Sequence, residues 1–192
     1  MQINEGRVEM KNIILGVTGS IAAYKAAEIS NILTKHGNNV DVILTKSAKE
    51  FITPLTFQSL TKNRVYLDMF EEFKPSEIKH ISLAKKADLC LIAPATANII
   101  GKLANGIADD MLTTVVMAMN NVPIYICPAM NTNMYNNAIV QRNIKILVEY
   151  GYNFIEPKEG LLACGDTGRG ALANVDTIIN TIEECLEKDA TS

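Results

Sequence analysis

The feature that most constrains the fold is a series of short apolar runs separated by segments of helical periodicity. The apolar runs occupy residues 12–17, 39–45, 88–95, 122–129 and 152–157. Helical periodicity marks residues 20–37, 80–87, 96–119, 137–151 and 175–188. Short, β-branched runs that end at turn residues are typical of strands buried on both faces. Their alternation with helices predicts an α/β fold with a doubly wound parallel sheet between two helical layers.

Three stretches depart from this regular alternation. Residues 53–79 are polar and mixed, so we expect a loop and a short helix there. Residues 47–52 are expected to open a helical stretch after the second strand. The long helical segment at 96–119 contains Asn105 followed by Gly106, where we expect a break.

The composition limits the number of domains and the classes of function. The chain has 192 residues, of which 48% are hydrophobic, which suffices for the core of one domain. We place that domain at residues 11–187, with a polar extension at 1–10 and a frayed tail at 188–192. A net charge of −3 argues against general nucleic-acid binding. We expect a cytoplasmic protein, because the sequence has neither an apolar run of membrane-spanning length nor a signal-peptide pattern.

The cysteines and acidic residues do not predict a metal site or disulfides. The four cysteines, Cys90, Cys127, Cys164 and Cys185, are far apart and form no CxxC pair. Two of them lie in strand-like runs and are expected to be buried thiols. The adjacent carboxylates at positions 109 and 110 lack a third ligand at suitable spacing, so we expect a solvated face or a subunit contact there.

Small and polar residues follow the predicted strands, at the edge where ligands bind in doubly wound sheets. The segments are TGSIAAYK, TKSAKEF, APATAN and PAMNTNMY. Gly19 and Ser20 form a strand-to-helix turn whose backbone N–H groups and helix dipole would favour a phosphate. The turn lacks the GxGxxG pattern, so an ordinary tight turn explains it equally well. Thr45 and Ser47 are candidates for further hydroxyl contacts with the same phosphate.

Three further groups could take part in chemistry. His80 opens the segment 80–87, and it could equally be a capping residue. Thr96, Ala97 and Asn98 are small enough to let a planar ring lie against the backbone. The glycine-rich segment LLACGDTGRGAL suits a mobile flap, in which Cys164 is either a proton donor or nucleophile or a buried anchor.

Taken together, these segments resemble the flavin-dependent cysteine decarboxylases, over roughly residues 11–186. The PAMNxxM segment and the ACGD loop carry the resemblance most specifically. The resemblance implies a Rossmann-like or flavodoxin-like domain that binds FMN at the interface between subunits of a trimer or a dodecamer. One departure is Tyr135, where the family often has tryptophan, and an aromatic side chain is therefore retained.

The resemblance also implies roles for individual residues. It implies FMN contacts by Gly19, Ser20, Ile21, Thr45, Ser47, Phe51, Thr96, Ala97, Asn98, Ile99 and Ala129. It implies substrate contacts by Asn131, Leu161, Ala163 and Leu172. His80 matches the active-site histidine, Asn131 the asparagine that holds the substrate carboxylate, and Cys164 the flap cysteine that donates a proton.

The reaction that the resemblance implies is the decarboxylation of 4′-phosphopantothenoylcysteine to 4′-phosphopantetheine in coenzyme A biosynthesis. In this reaction the substrate thiol is oxidised to a thioaldehyde, CO₂ leaves to give an enethiol or enethiolate, and this product is then reduced. Oxidation comes first because a plain cysteine amide offers no sink for the electrons that CO₂ leaves behind. FMN carries the redox chemistry, while the protein orients and protonates the substrate.

Two alternatives remain open from the sequence. A peptidyl-cysteine decarboxylase would share the flavin site and Asn131 but need a wider cleft. A flavin-binding regulatory subunit without turnover would not need His80, Asn131 and Cys164 together, and relatives of that kind often carry a long acidic tail. A flavin prenyltransferase is disfavoured by the PAMN and ACGD segments.

Overall fold

A six-stranded parallel sheet forms the centre of the molecule. The computed structural model describes residues 10–70, 78–161 and 167–189. The strands of the sheet are β1 (Asn12–Val17), β2 (Asn39–Leu44), β3 (Val65–Tyr66), β4 (Leu89–Ala95), β5 (Ile124–Pro128) and β6 (Asn153–Phe154). Their order is β3-β2-β1-β4-β5-β6, and all the pairings are parallel. This sheet confirms the predicted doubly wound α/β fold.

Helices cover both faces of the sheet. They are α1 (Ala23–Lys35), α2 (Pro54–Thr61), α3 (Lys79–Lys86), α4 (Ala97–Ala104), α5 (Met111–Ala118), α6 (Thr132–Tyr135), α7 (Ala138–Glu149) and α8 (Val175–Asp189). A 3-10 turn spans Ala48–Glu50, where the sequence predicted a longer helical stretch. Among the described residues, no helix combines the length and apolar character needed to cross a bilayer.

The core has two layers because the strands bury side chains on both faces. Leu15 and Leu91 point toward α1, α2 and α8, whereas Ile14 and Ile92 point toward α3, α4, α5 and α7. All four side chains are fully buried. Burial on both faces explains why the strands are continuous apolar runs rather than alternating ones.

The structure differs from the sequence prediction where elements are short. The segment predicted as loop and short helix contains α2 and also the two-residue edge strand β3, which pairs with β2. The predicted break in the long helix is confirmed, since Gly106 has φ of +66° between α4 and α5. The glycine-rich segment contributes an antiparallel hairpin of β7 (Lys158–Leu161) and β8 (Thr167–Ala171), which the sequence did not predict.

The strand order reverses between β1 and β4, and Thr18 joins the carboxyl ends of these two strands. Its hydroxyl donates to the Pro94 carbonyl at 2.7 Å and accepts from the Thr96 N–H at 3.0 Å. Thr18 is only 2% exposed, so water cannot replace these bonds. Thr18 therefore holds the ends of β1 and β4 together at the point where ligands bind in folds of this type.

We expect Thr18→Val to lower the free energy of unfolding by about 1–3 kcal/mol, because it removes the donor to the buried Pro94 carbonyl and the acceptor of the part-buried Thr96 N–H. Urea denaturation followed by circular dichroism would measure the loss. Thr18→Ser is the matched control, since it keeps the hydroxyl and should remain closer to the parent protein. Equal losses in the two variants would show that the hydroxyl is not the stabilising group.

Candidate functional site

A cavity of about 500 Å³ opens at the carboxyl edge of the sheet, beside the junction of β1 and β4. Its walls come from the turns that follow β1, β4 and β5, from the end of the 3-10 turn and from β8 with the residue after it. Eight of the residues predicted for the site line it: Gly19, Ser20, Ile21, Phe51, Thr96, Ala129, Asn131 and Leu172. The prediction that these distant segments converge at one edge agrees with this geometry.

Other predicted residues lie outside the cavity wall. Thr45 and Ser47 flank the start of the 3-10 turn, where the Thr45 hydroxyl accepts from the Ala48 N–H at 3.3 Å. Ala97, Asn98 and Ile99 form the first turn of α4, and Ile99 faces the core at 1% exposure. These residues lie close in sequence to the lining residues Phe51 and Thr96, but they do not line the cavity themselves.

The remaining predicted site residues are His80 and three residues of the glycine-rich segment, Leu161, Ala163 and Cys164. His80 lies in the first turn of α3, and it does not line the cavity. Leu161 ends β7, and its side chain lies outside the described part of the structure. Ala163 and Cys164 lie outside the described residues altogether.

The turn after β1 presents backbone donors to the cavity. Within the part of the chain that the structure describes, the N–H groups of Gly19 and Ile21 have no hydrogen-bond acceptor, and α1 begins directly after them. Unpaired N–H groups at a helix N-terminus attract an anion such as a phosphate. Close packing requires glycine at position 19, because a Cβ there would lie 2.4 Å from the Ser47 Cβ.

The turn after β4 places a second helix N-terminus at the cavity. Thr96 caps α4, with its hydroxyl accepting from the Ile99 N–H at 3.4 Å. Ala129, from the turn after β5, lies beside it, and its N–H donates to the Ala95 carbonyl at 2.9 Å. Short side chains on both turns leave a wall that a planar ring can approach closely.

The segment after β5 fixes the position of Asn131. This residue caps the short helix α6, where its Oδ1 accepts from the Asn133 N–H at 2.8 Å. The preceding residue, Met130, donates its N–H to the Gly170 carbonyl of β8 at 2.9 Å. The Asn131 side chain is therefore held from both sides of the loop.

The mouth of the cavity is unusually apolar for a protein surface. Ile21, Tyr24, Phe51 and Met134 line it and remain 59%, 62%, 50% and 49% exposed, respectively. A contiguous exposed apolar surface marks a site for a ligand or for another protein chain. The sequence analysis did not select Tyr24 or its neighbour Lys25, which also lines the cavity, because helical periodicity alone places them on a solvated face.

Two cysteines and two aspartates that the sequence analysis considered lie outside the cavity and have structural roles. Cys90 and Cys127 are fully buried, as predicted; burial raises the pKa of the Cys90 thiol to about 12 and that of Cys127 further. Asp109 and Asp110 both pair with Lys102, and Asp110 also caps α5. Among the described residues, no group of three or more His, Cys, Asp or Glu side chains could hold a metal ion.

Two curated relatives are similar to most of this chain. A Streptococcus mutans serotype c protein named "Probable phosphopantothenoylcysteine decarboxylase" is 55% identical over 92% of this chain and 99% of its own length. The Coenzyme A biosynthesis bifunctional protein CoaBC of Bacillus subtilis is 50% identical over 95% of this chain. The chain spans 45% of that longer protein.

Solved structures with the same fold include two decarboxylases. A cysteine-to-serine variant of PPC decarboxylase, complexed with pantothenoylaminoethenethiol, has a TM-score of 0.85 and 32% identity, covering 93% of this chain and 100% of its own. The FMN-dependent cysteine decarboxylase SpaF has a TM-score of 0.82 and 31% identity, covering 94% of this chain and 97% of its own. A family model described as Flavoprotein matches residues 1–187. With a match of this length, and relatives similar over nearly the whole chain, this protein belongs to the flavoprotein family.

Proposed function

We propose that this chain is a carbon–carbon lyase that decarboxylates 4′-phosphopantothenoylcysteine to 4′-phosphopantetheine with FMN as its cofactor. The observation that carries the proposal is that one cavity is lined both by the turn at Gly19, with its backbone N–H groups that are unpaired among the described residues, and by Asn131. The relatives named for this decarboxylase and for coenzyme A biosynthesis support the substrate and the pathway. A cytoplasmic location follows from the proposed role in coenzyme A biosynthesis.

The residues of the cavity fit FMN. The N–H groups of Gly19 and Ile21 would hold its phosphate at the N-terminus of α1, with the Ser20 hydroxyl beside them. The flat wall at Thr96 and Ala129 would receive the ring. When bound, FMN supplies the oxidation that makes loss of CO₂ possible and the reduction that completes the product.

Asn131 would hold the substrate carboxylate. Its Oδ1 accepts from the Asn133 N–H in the helix cap, and its amide NH₂ group is of the donor type that suits a carboxylate oxygen. A neutral donor can orient a carboxylate without neutralising it, so the negative charge that must leave as CO₂ is retained. Leu172, the buried residue that follows β8, would contact the pantothenoyl arm, and the same proposal extends to Leu161 and Ala163.

Two proton-transfer groups complete the proposed site. We assign Cys164 as the donor that protonates the product during its reduction, since a thiol can deliver a proton near neutral pH. We assign His80 as the base that assists oxidation of the substrate thiol. Because His80 does not line the cavity of its own chain, the histidine would come from a neighbouring copy.

A homo-oligomer with the site at its interface, either a trimer or a dodecamer, accounts for that arrangement and for the apolar mouth of the cavity. Ile21, Tyr24 and Phe51 would then be covered by the neighbouring chain and by FMN. Light scattering on the purified FMN-loaded protein would measure the oligomer mass. A monomer would leave His80 outside the site and require another base.

Mass spectrometry of a reaction with FMN and 4′-phosphopantothenoylcysteine is the direct test of the function. Loss of CO₂ with formation of 4′-phosphopantetheine is the expected result. Conversion of peptides that end in cysteine, without conversion of the small substrate, would instead indicate a peptidyl-cysteine decarboxylase. No conversion of either substrate by FMN-loaded protein would indicate a flavin-binding regulatory subunit.

Gly19→Ala should weaken FMN binding by about tenfold or more, since its Cβ would push the 3-10 turn away from the phosphate site. Titration of the apoprotein with FMN, followed by flavin fluorescence, would measure the dissociation constant. Gly101→Ala on α4 is the matched control, because its Cβ would meet only an ordinary contact at 3.7 Å. Unchanged affinity in Gly19→Ala would remove this turn from the cofactor site.

Asn131→Asp should lower kcat/KM by about 100-fold or more while FMN binding is retained. Aspartate still caps α6, so the change replaces a donor with a negative charge that repels the substrate carboxylate. Asn137→Asp is the matched control, because Asn137 caps α7 in the same way through the Ile139 N–H at 2.9 Å, outside the cavity. Equal kinetics for the two variants would exclude Asn131 from substrate binding.

Cys164→Ser should bind FMN and release CO₂ but accumulate the unsaturated enethiol, because the hydroxyl is a far weaker acid than the thiol. The same mass-spectrometric assay distinguishes the enethiol from the saturated product by its two missing hydrogens. A normal yield of 4′-phosphopantetheine would contradict the proton-donor role.

A further inference from the structure

Three side chains from separate elements meet beside the cavity at a single carboxylate oxygen. Glu156, just after β6, accepts at Oε2 from the Tyr135 hydroxyl at 2.7 Å and from the Arg169 guanidinium at 2.9 Å. The guanidinium carbon of Arg169 also lies 5.9 Å from the centre of the Tyr135 ring. We refer to these residues as the Tyr135–Glu156–Arg169 cluster.

The cluster joins the two backbone segments that hold Asn131. Tyr135 ends α6, the helix that Asn131 caps, and its N–H donates to the Asn131 carbonyl at 2.9 Å. Arg169 precedes Gly170, whose carbonyl accepts from the Met130 N–H. The hairpin and the Asn131 segment are therefore linked on both sides of Asn131, by the cluster after it and by the backbone bond before it.

The hairpin lies directly against this segment, where Gly170 faces the backbone of Met130 and Gly168 faces the side chain of Thr132. A Cβ at Gly170, where φ is +155°, would lie 2.3 Å from the Met130 carbonyl oxygen. A Cβ at Gly168 would lie 2.7 Å from the Thr132 hydroxyl oxygen. Because the contact is so close, a displacement of β8 must displace the residues on either side of Asn131.

The exposure of the cluster indicates that it positions the neighbouring segments more than it adds to the free energy of unfolding. Tyr135 is 6% exposed, whereas the side chains of Glu156 and Arg169 are 54% and 48% exposed. Ion pairs with this exposure contribute little to the free energy of unfolding. Burial, followed by the hydrogen bond to Glu156, raises the pKa of Tyr135 to about 12, so its hydroxyl remains a donor at neutral pH.

We propose that Glu156 is a positioning residue that couples β8 to α6 and thereby holds Asn131 in the orientation that receives the substrate carboxylate. This inference rests on the proposed function for its substrate, but the coupling itself is a property of the chain. One carboxylate oxygen serves both donors, so removal of either donor, or of the carboxylate charge, loosens the same connection. Errors of about 1 Å in the position of such a group lower rates substantially.

Glu156→Gln should lower kcat/KM for 4′-phosphopantothenoylcysteine by about tenfold, mainly through KM, with FMN affinity unchanged. Tyr135→Phe and Arg169→Met should each act in the same direction. Because both act through Glu156, the double variant should lose less than the product of the two single losses. In the Glu156→Gln background, each change should have a smaller effect than in the parent protein, because the glutamine oxygen is a weaker, uncharged acceptor.

Lys158→Met is the matched control for Arg169→Met. Lys158 lies on the same hairpin and donates to Asn174 at 2.8 Å, away from α6, so it loses the same charge without affecting the cluster. We expect kinetics close to those of the parent protein. If Lys158→Met and Arg169→Met reduce kcat/KM equally, general loss of positive charge explains the effect and the positioning role fails.

Hydrogen exchange tests the coupling without relying on turnover. In FMN-loaded protein, peptides spanning residues 128–136 should exchange about tenfold faster in Glu156→Gln and Arg169→Met, because the Met130 N–H loses its steady acceptor. Lys158→Met and the parent protein should exchange alike. Tyr135→Phe, which keeps the ring, provides the readout if a charge variant fails to fold.

The two assays separate failure of this inference from failure of the proposed function. If the parent protein does not convert 4′-phosphopantothenoylcysteine, the substrate assignment fails and faster exchange in the cluster variants alone supports the coupling. If the parent protein is active and the cluster variants match it in both kinetics and exchange, the positioning role of Glu156 is overturned. Additive kinetic losses in Tyr135→Phe and Arg169→Met would also overturn it.

Discussion

The buried hydroxyl of Thr18 is the contact on which the geometry of the cavity depends. It bridges the carboxyl ends of β1 and β4, the two strands between which the strand order reverses. The helices that follow these strands, α1 and α4, both direct their N-termini at the cavity. The separation of these N-termini therefore depends on the pairing of β1 with β4, which the Thr18 side chain extends to the carboxyl ends of the two strands. Because the strand ends are held together, the three loops that follow β1, β4 and β5 can line one cavity although their sequences differ.

Each of these loops supplies a different property to the cavity. The Gly19 turn supplies backbone donors, the Thr96 turn supplies a second helix N-terminus, and the segment after β5 supplies an amide held by its own helix cap. None of these properties depends on a charged side chain, although Lys25 lies in the wall. The site can accept an anionic group at one end and a planar apolar group along its side, because different loops would contact the two groups.

Much of this organisation could be predicted from the sequence, because strands buried on both faces leave uninterrupted apolar runs and each run ends at small or polar residues. The two-residue strand β3 was missed because it is too short to show a pattern. The hairpin of β7 and β8 was missed because Gly168 and Gly170 are required by contact with Thr132 and Met130, which are distant in sequence, and no local pattern reveals that contact. His80 was assigned from resemblance, and a single chain does not bring it into the cavity wall. Tyr24 was missed since an exposed residue on an amphipathic helix normally faces solvent.

The close contact between β8 and the segment after β5 also bears on how this region can change in sequence. Positions 168 and 170 have no room for a Cβ, whereas Gly160 on the facing strand has open space around it. We therefore expect the two strands of one hairpin to tolerate variation very differently, and Gly170 lines the cavity through its backbone alone. In a library of random substitutions, we expect positions 168 and 170 to retain glycine, because the hairpin packs against the segment after β5 there. This packing should restrict substitution as strongly as contact with a ligand restricts other positions.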